Sequence, residues 1–287
     1  MFPRKIRHLW RLTNWRLRLI VGAGLLLLIC IQCARPTGAD VHDDGLVRTI
    51  SGQEVGKLSD AQAQRLESLA RTDPIGLLDL CLDHTRRTVR DLTCTFIKQE
   101  RIDGVLGQTQ EIDVKFLAHP FSVAMRWTKN APVSDRLLYV EGQNDDNLLL
   151  KPKGMLSWMG TVRRKPDSPQ VMANTLYPVT MFSFERALKS MIDTSRLAEQ
   201  RQEFKTEFLG YKTVADRVTL VIERQLPACK DYPAARTRTY IDPKLLVPVA
   251  VEAWDWDDQL ISRYIYKDIK LNVGLTVDDF TPQANGL

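Results

Sequence analysis

From Leu92 onward the apolar residues change their spacing from about 3.6 to 2 and hold it, with interruptions, almost to the C-terminus. Residues 92–101 alternate and are rich in Thr, Phe and Ile, and Asp103-Gly104 follows as a strong turn signal. Ile112, Val114 and Phe116 alternate with Glu111, Asp113 and Lys115. His119-Pro120 interrupts the run, after which Phe121, Val123, Met125 and Trp127 alternate with Ser122, Ala124 and Arg126. Residues 137–141 and 147–150 flank a polar turn, and a later set of strands is expected at 217–223, 236–242, 247–254 and 260–270. The connections are too short for crossover helices, so the pattern predicts a meandering antiparallel sheet of nine or ten strands.

Helical spacing is confined to a few places. Asp73-Pro74 offers an N-cap and a first-turn proline, and Ile75, Leu78, Leu82 and Val89 follow on one face to about Asp91. A short polar helix is expected at 59–69, and another helix at 182–192 with Leu188, Met191 and Ile192 on one side. Residues 151–180 are rich in Pro and Gly and read as irregular. The sum is one α+β domain over residues 73–282. A large sheet that curls must have its concave side filled, by helices or by a ligand.

The formal charge of +5 comes from the N-terminus. Arg4, Lys5, Arg7, Arg11, Arg16, Arg18 and Arg35 all precede the first acid, Asp40; setting these seven aside leaves 33 basic against 35 acidic residues. A nucleic-acid-binding fold needs a basic patch on the fold itself, so no nucleic-acid partner is expected. Six of those cations precede a 13-residue apolar run from Leu19 to Ile31. Residues 1–33 therefore read as a signal peptide or an N-terminal membrane anchor, the run being short for a spanning helix. Either reading puts the body outside the cytoplasm, in the periplasm or cell envelope. Residues 34–72 read as a linker with the short helix inside it.

Cys81, Cys94 and Cys229 lie in the body, and Cys81 with Cys94, the closest pair, is the candidate disulfide in an oxidising compartment. Three packed thiols are the alternative. No zinc spacing, Gly-x-Ser-x-Gly elbow, P-loop or Gly-x-Gly-x-x-Gly is present, so neither an enzyme nor a cofactor is expected. A Cys94 thiol with His84 or His119 is the nearest approach to a nucleophile and base. Asp145-Asp146 and Asp255, Asp257 and Asp258 fall at turns, where Asp serves the backbone.

The apolar candidates for a ligand site are Phe96, Phe116, Met125 and Trp127 on strands, and Trp158, Met159, Phe182, Leu188 and Met191 on the loop and helix that follow. Met and aromatic side chains repack around varied acyl chains. The competing reading is ordinary core. Met155, Leu156, Trp158 and Met159 fit core least well, because they cluster in a Gly- and Pro-rich loop beside Arg163, Arg164 and Lys165.

The order of short motifs resembles the outer-membrane lipoprotein carrier and receptor, the LolA/LolB-like superfamily. It runs from Cys94-Thr-Phe-Ile-Lys-Gln99 through His119-Pro120-Phe121 and Leu138-Tyr-Val-Glu-Gly142 to Tyr240-Ile-Asp-Pro243, Val247-Pro248, the run 264–272 and Asp279-Phe280. Lys98 to Gly104 with Pro120 to Val123 is most similar to an uncharacterised bacterial domain of unknown function within that group. The resemblance implies a curved, unclosed antiparallel barrel with helices on its concave side, over a cavity for a lipid or the acyl chain of a lipoprotein. It also implies an envelope protein as a possible partner. In the carriers an Arg before the proline latches the lid helices; His119 stands there in this chain, as the candidate latch.

Overall fold

A computed structural model describes residues 47–49 and 60–287. The N-terminal segment 1–33, with Cys30 and Cys33, lies outside the described residues. Among the described residues no helix is long and apolar enough to cross a membrane.

The elements run β1 (Val47–Thr49), α1 (Asp60–Thr72), α2 (Pro74–Thr88), β2 (Asp91–Ile102), β3 (Val105–Leu106), β4 (Gln110–Leu117), β5 (Ser122–Lys129), β6 (Ser134–Val140), β7 (Leu148–Pro152) and β8 (Val162–Arg164). Then come α3 (Pro169–Met172), α4 (Phe184–Gln200), β9 (Lys205–Val214), β10 (Arg217–Gln225), β11 (Arg236–Asp242), β12 (Val247–Trp254) and β13 (Leu260–Leu271). The strands form one unclosed antiparallel sheet in the order β1-β9-β10-β11-β12-β13-β2-β4-β5-β6-β7-β8, with β3 pairing β2 alone. Two meanders are thus joined where β13 meets β2, with Tyr266 opposite Phe96. The protein is α+β, as the alternation predicts, with more strands than the expected nine or ten.

β9 has no counterpart in the sequence reading. Its alternation is broken at Gly210, which adopts φ +84 at a register shift in the β9–β10 pair between Leu220 and Ile222. A bulge there slips the side chains of 205–209 relative to those of 211–214, so no single period spans the strand.

The helices begin where the caps predict. Asp73 Oδ1 accepts from Gly76 N at 2.8 Å, and Ser183 Oγ accepts from Arg186 N at 3.0 Å. A Cβ at Gly76 would lie 2.1 Å from Asp73 Oδ2, so the glycine makes room for the cap. α4 runs eight residues past the expected end at Ile192, and Phe182 precedes it. In α1, which covers most of the short helix expected at 59–69, Leu66 and Ala70 are buried with Ile75, Leu77, Leu78, Leu82, Leu188, Leu220, Ile222 and Ile241.

The opposite face of the sheet is covered differently at its two sides. Leu117, Ala124, Leu138, Val140 and Leu149 are buried beneath Phe280 of the C-terminal segment. Lys115 Nζ, donating to Asp279 O at 2.9 Å, helps hold that segment. On the other side, charges alternate across strands. Arg238 binds Glu223 at 2.8 Å, Arg263 binds Glu252 at 2.7 Å, and the Tyr240 hydroxyl donates to Glu252 at 2.7 Å. Each of these buried carboxylates therefore has its counter-ion.

Candidate functional site

The inner face changes character along each strand. On β2, Leu92 and Cys94 are core residues, whereas Phe96, Lys98 and Glu100 border an open space. On β5, Val123 is core, whereas Met125 and Trp127 border the same space. On β10, Leu220 and Ile222 lie under the helices, whereas Arg224 borders the space. The result is a cavity of about 450 Å³ at one end of the sheet, within the roughly 300–1,000 Å³ typical of small-molecule sites.

α4 walls this cavity because of its sequence. Leu188 and Ile192, four residues apart, point into the packed core. Ala187, Ser190, Met191 and Thr194 form the neighbouring stripe and line the cavity. Three of these four are small, and that leaves the space unfilled.

The floor is aromatic. Phe96 meets Phe182 edge-on at 5.3 Å, stacks on Tyr264 at 5.6 Å and tilts against Tyr266 at 4.9 Å. Trp127 donates its Nε1–H to Gln110 Oε1 at 2.7 Å, which satisfies the polar edge of the indole.

Polar groups sit among these rings. Lys98 Nζ lies 2.9 Å from Glu100 Oε2 and donates to Thr175 Oγ1 at 2.8 Å. Glu100 also accepts from Leu176 N at 3.3 Å and from the Tyr264 hydroxyl. This buried pair is fully partnered and ties the loop before α4 to the sheet. Burial raises the Tyr264 phenol well above its ordinary value, so it stays a neutral donor to Glu100. Arg224 donates to Met191 O at 3.2 Å, Ser195 Oγ at 3.2 Å and Thr237 Oγ1 at 3.3 Å. Burial pulls its pKa down to about 10, which leaves it charged at neutral pH.

Six of the nine expected residues border the cavity: Phe96, Met125, Trp127, Met159, Phe182 and Met191. Phe116 lies in the core, with its ring 5.6 Å from Phe121. Leu188 is fully buried at the helix-covered end. Trp158 points outward and is 82% exposed, beside Met155 at 93%. The sequence reading missed Lys98, Glu100, Tyr264 and Arg224, since a charged residue in an alternating strand normally marks the solvent side. The one available signal was that Lys98 and Glu100 occupy the same parity as Phe96.

Two other expectations are corrected. Cys81 and Cys94 are separate free thiols, one in the helix-covered cluster and one on the sheet. Burial pushes the Cys81 thiol up to about 12 and Cys94 higher still, so neither is a ready nucleophile. His119 is exposed at the turn between β4 and β5, and among the described residues no side-chain hydrogen bond ties it to a helix. The helices are tied instead by Arg86–Glu185 at 2.8 Å and Arg196–Asp79 at 2.7 Å, both between α2 and α4, and by Arg224 from the sheet. The carboxylate clusters serve turns: Asp146 Oδ1 accepts from Gly142 N, and Asp255 Oδ1 accepts from Asp257 N and Gln259 N. Among the described residues no group of three His, Cys, Asp or Glu stands together to hold a metal ion.

The chain is similar to several solved structures. One is the Mycobacterium tuberculosis lipoprotein LppX, at 15% identity and TM-score 0.43, covering 72% of this chain and 100% of that one. Another is a LolA superfamily protein from Nitrosomonas europaea, at 10% identity and TM-score 0.31, covering 72% and 98%. A third is the MucA/MucB complex of Pseudomonas aeruginosa, at 14% identity and TM-score 0.43, covering 75% of this chain and 62% of that one. No curated protein matches the sequence. Residues 89–286, more than half of the chain and nearly all of the sheet, match the model of a family described as a protein of unknown function, DUF1571, and the chain belongs to that family.

Proposed function

We propose that this is an exported cell-envelope protein that takes a lipid, or the acyl chain of an acylated protein, into the open end of its half-barrel, as a carrier or sensor. The observation that carries the reading is the unfilled cavity of about 450 Å³ beneath α4, floored by Phe96, Phe182 and Tyr266 and walled by Met125, Trp127 and Met191. An acyl chain entering it gains roughly 0.8 kcal/mol per buried CH₂. Met159 and Val162 border the same space, so the loop bearing exposed Met155 and Trp158 stands at its rim. Export is read from the six cations and apolar run at the N-terminus.

A second reading is a protein-interaction module of the envelope, which the exposed Met155 and Trp158 favour. Native mass spectrometry of the protein purified from a bacterial envelope, with extraction of bound lipid, separates the two. An acyl-chain mass that disappears in Met125→Glu and Trp127→Glu supports the ligand reading. A clean apo mass, with no uptake of added acyl chains, overturns it in favour of the module.

A further inference from the structure

We propose that the ligand is an anionic amphiphile, and that Arg224 binds its carboxylate or phosphate head group inside the cavity. The inference rests on the acyl-binding reading and adds the chemical class of the head.

The contrast among arginines on one sheet carries it. Arg217, Arg238 and Arg263 each hold a carboxylate, at 2.9, 2.8 and 2.7 Å. Arg224 has no such partner. Its three hydrogen bonds all go to neutral oxygens, those of Met191, Ser195 and Thr237. Its Nε, shielded from solvent, has no acceptor at all. A guanidinium carries five N–H donors in a fixed fork, and a buried cation without a counter-ion is costly to keep. Glu223, next to it in sequence, belongs to the opposite face and is held by Arg238. The lining of the cavity points the same way. Its charged residues are Lys98, Arg164 and Arg224 against Glu100 alone. Glu100 is already engaged by Lys98 and Tyr264. The cavity is thus apolar along its floor and positive at Arg224, with no acid left to neutralise it. That combination fits a chain ending in an oxyanion, which a guanidinium grips through paired N–H bonds. A structural role alone, pinning α4 through Met191 and Ser195, requires hydrogen bonds but no charge left over.

The test compares dodecanoate, dodecyl phosphate and dodecanol, which share a chain, together with inorganic phosphate, by titration calorimetry on the native protein and on Arg224→Met and Arg224→Lys. The native protein is expected to bind the two anions at least ~10-fold more tightly than the alcohol. Arg224→Met should abolish that preference, read as the ratio of anion to alcohol affinity within the variant, and Arg224→Lys should keep part of it. Equal affinity for acid and alcohol in the native protein overturns the inference and leaves the acyl site standing. So does a preference that survives Arg224→Met. Inorganic phosphate binding as tightly as dodecyl phosphate overturns it as well, since the head would then need no chain. Binding of none of the chains overturns the acyl-site reading itself. The native series decides the matter even if Arg224→Met does not fold.

Discussion

The two ends of the inner face share β10, β11 and α4 but differ in what surrounds and fills them. At the closed end, Leu220, Ile222 and Ile241 meet Leu77, Leu78, Leu188 and Ile192, all buried and all aliphatic. At the open end the same helix, with Arg224 of β10, Thr237 of β11 and residues of β2, β5 and β13, presents Met, aromatic, small and charged side chains around empty space. A close-packed interior gains from every methylene it fills. An open cavity forgoes that gain, and α4 shows the division within one helix: Leu188 and Ile192 face one end, while Ala187, Ser190 and Met191 face the other.

The largest expected effect tests whether that difference is energetic. Leu188→Ala leaves a void in a packed core and should lower unfolding free energy by about 2–5 kcal/mol in urea titration. Met125→Ala enlarges a space that already exists and should cost about 1 kcal/mol. Equal losses at the two sites would mean that the open end is packed as core after all.

How much of this could be read beforehand follows from the same division. The closed end obeys simple periodicity, so α2 with its Asp73 cap, the alternation of β2, β4 and β5, and the buried face of α4 are all visible in the sequence. β9 was hidden by the bulge at Gly210. On β5 the residues that alternate with Val123 and Met125 are not all at the surface: Ser122 and Ala124 are buried, Ala124 beneath the C-terminal segment with Phe280, a contact between residues far apart in the chain. At the open end, Phe96, Met125 and Met191 look the same in sequence whether they pack or line a cavity. Lys98, Glu100 and Arg224 look solvated until the sheet is assembled. Patterns report which face a residue occupies, not whether the space in front of it is filled.

A middle-sized effect is expected at high pH. All seven tyrosines have phenols raised above their ordinary value, with burial as the first cause. The unfolded chain gives up these protons near pH 10 and the folded chain does not. Stability is therefore fully present below pH 10 and falls as pH rises above it, because the unfolded state then binds fewer protons. Tyr211, at the closed end, is raised to about 12 by burial and by its bond to Glu67, whereas Tyr264, at the open end, lies well above 10. Spectrophotometric titration should show Tyr211 ionising before Tyr264, and the Tyr264 group only with unfolding. Titration of Tyr264 near pH 10 in folded protein would show that water already fills the open end enough to solvate a phenolate.

The smallest effect on stability, and the sharpest on access, belongs to the loop at the rim. Met155 and Trp158 are 93% and 82% exposed, so replacing both with Ser removes almost no packing. The unfolding free energy should stay within about 0.5 kcal/mol. No acidic residue occurs from Lys151 to Pro166, while Lys153, Arg163, Arg164 and Lys165 flank the apolar tip. An apolar tip ringed by cations suits the surface of an anionic bilayer, where Trp settles at the head-group level and each cation adds about 1 kcal/mol of attraction. Transfer of a fluorescent fatty acid from anionic vesicles should therefore slow in Met155→Ser/Trp158→Ser, while equilibrium affinity for the same fatty acid in solution stays unchanged. A rate that does not move would place the route into the open end elsewhere. A loss of affinity in solution would make the loop part of the site itself, and the division between a packed end and a receptive end would then extend beyond the sheet.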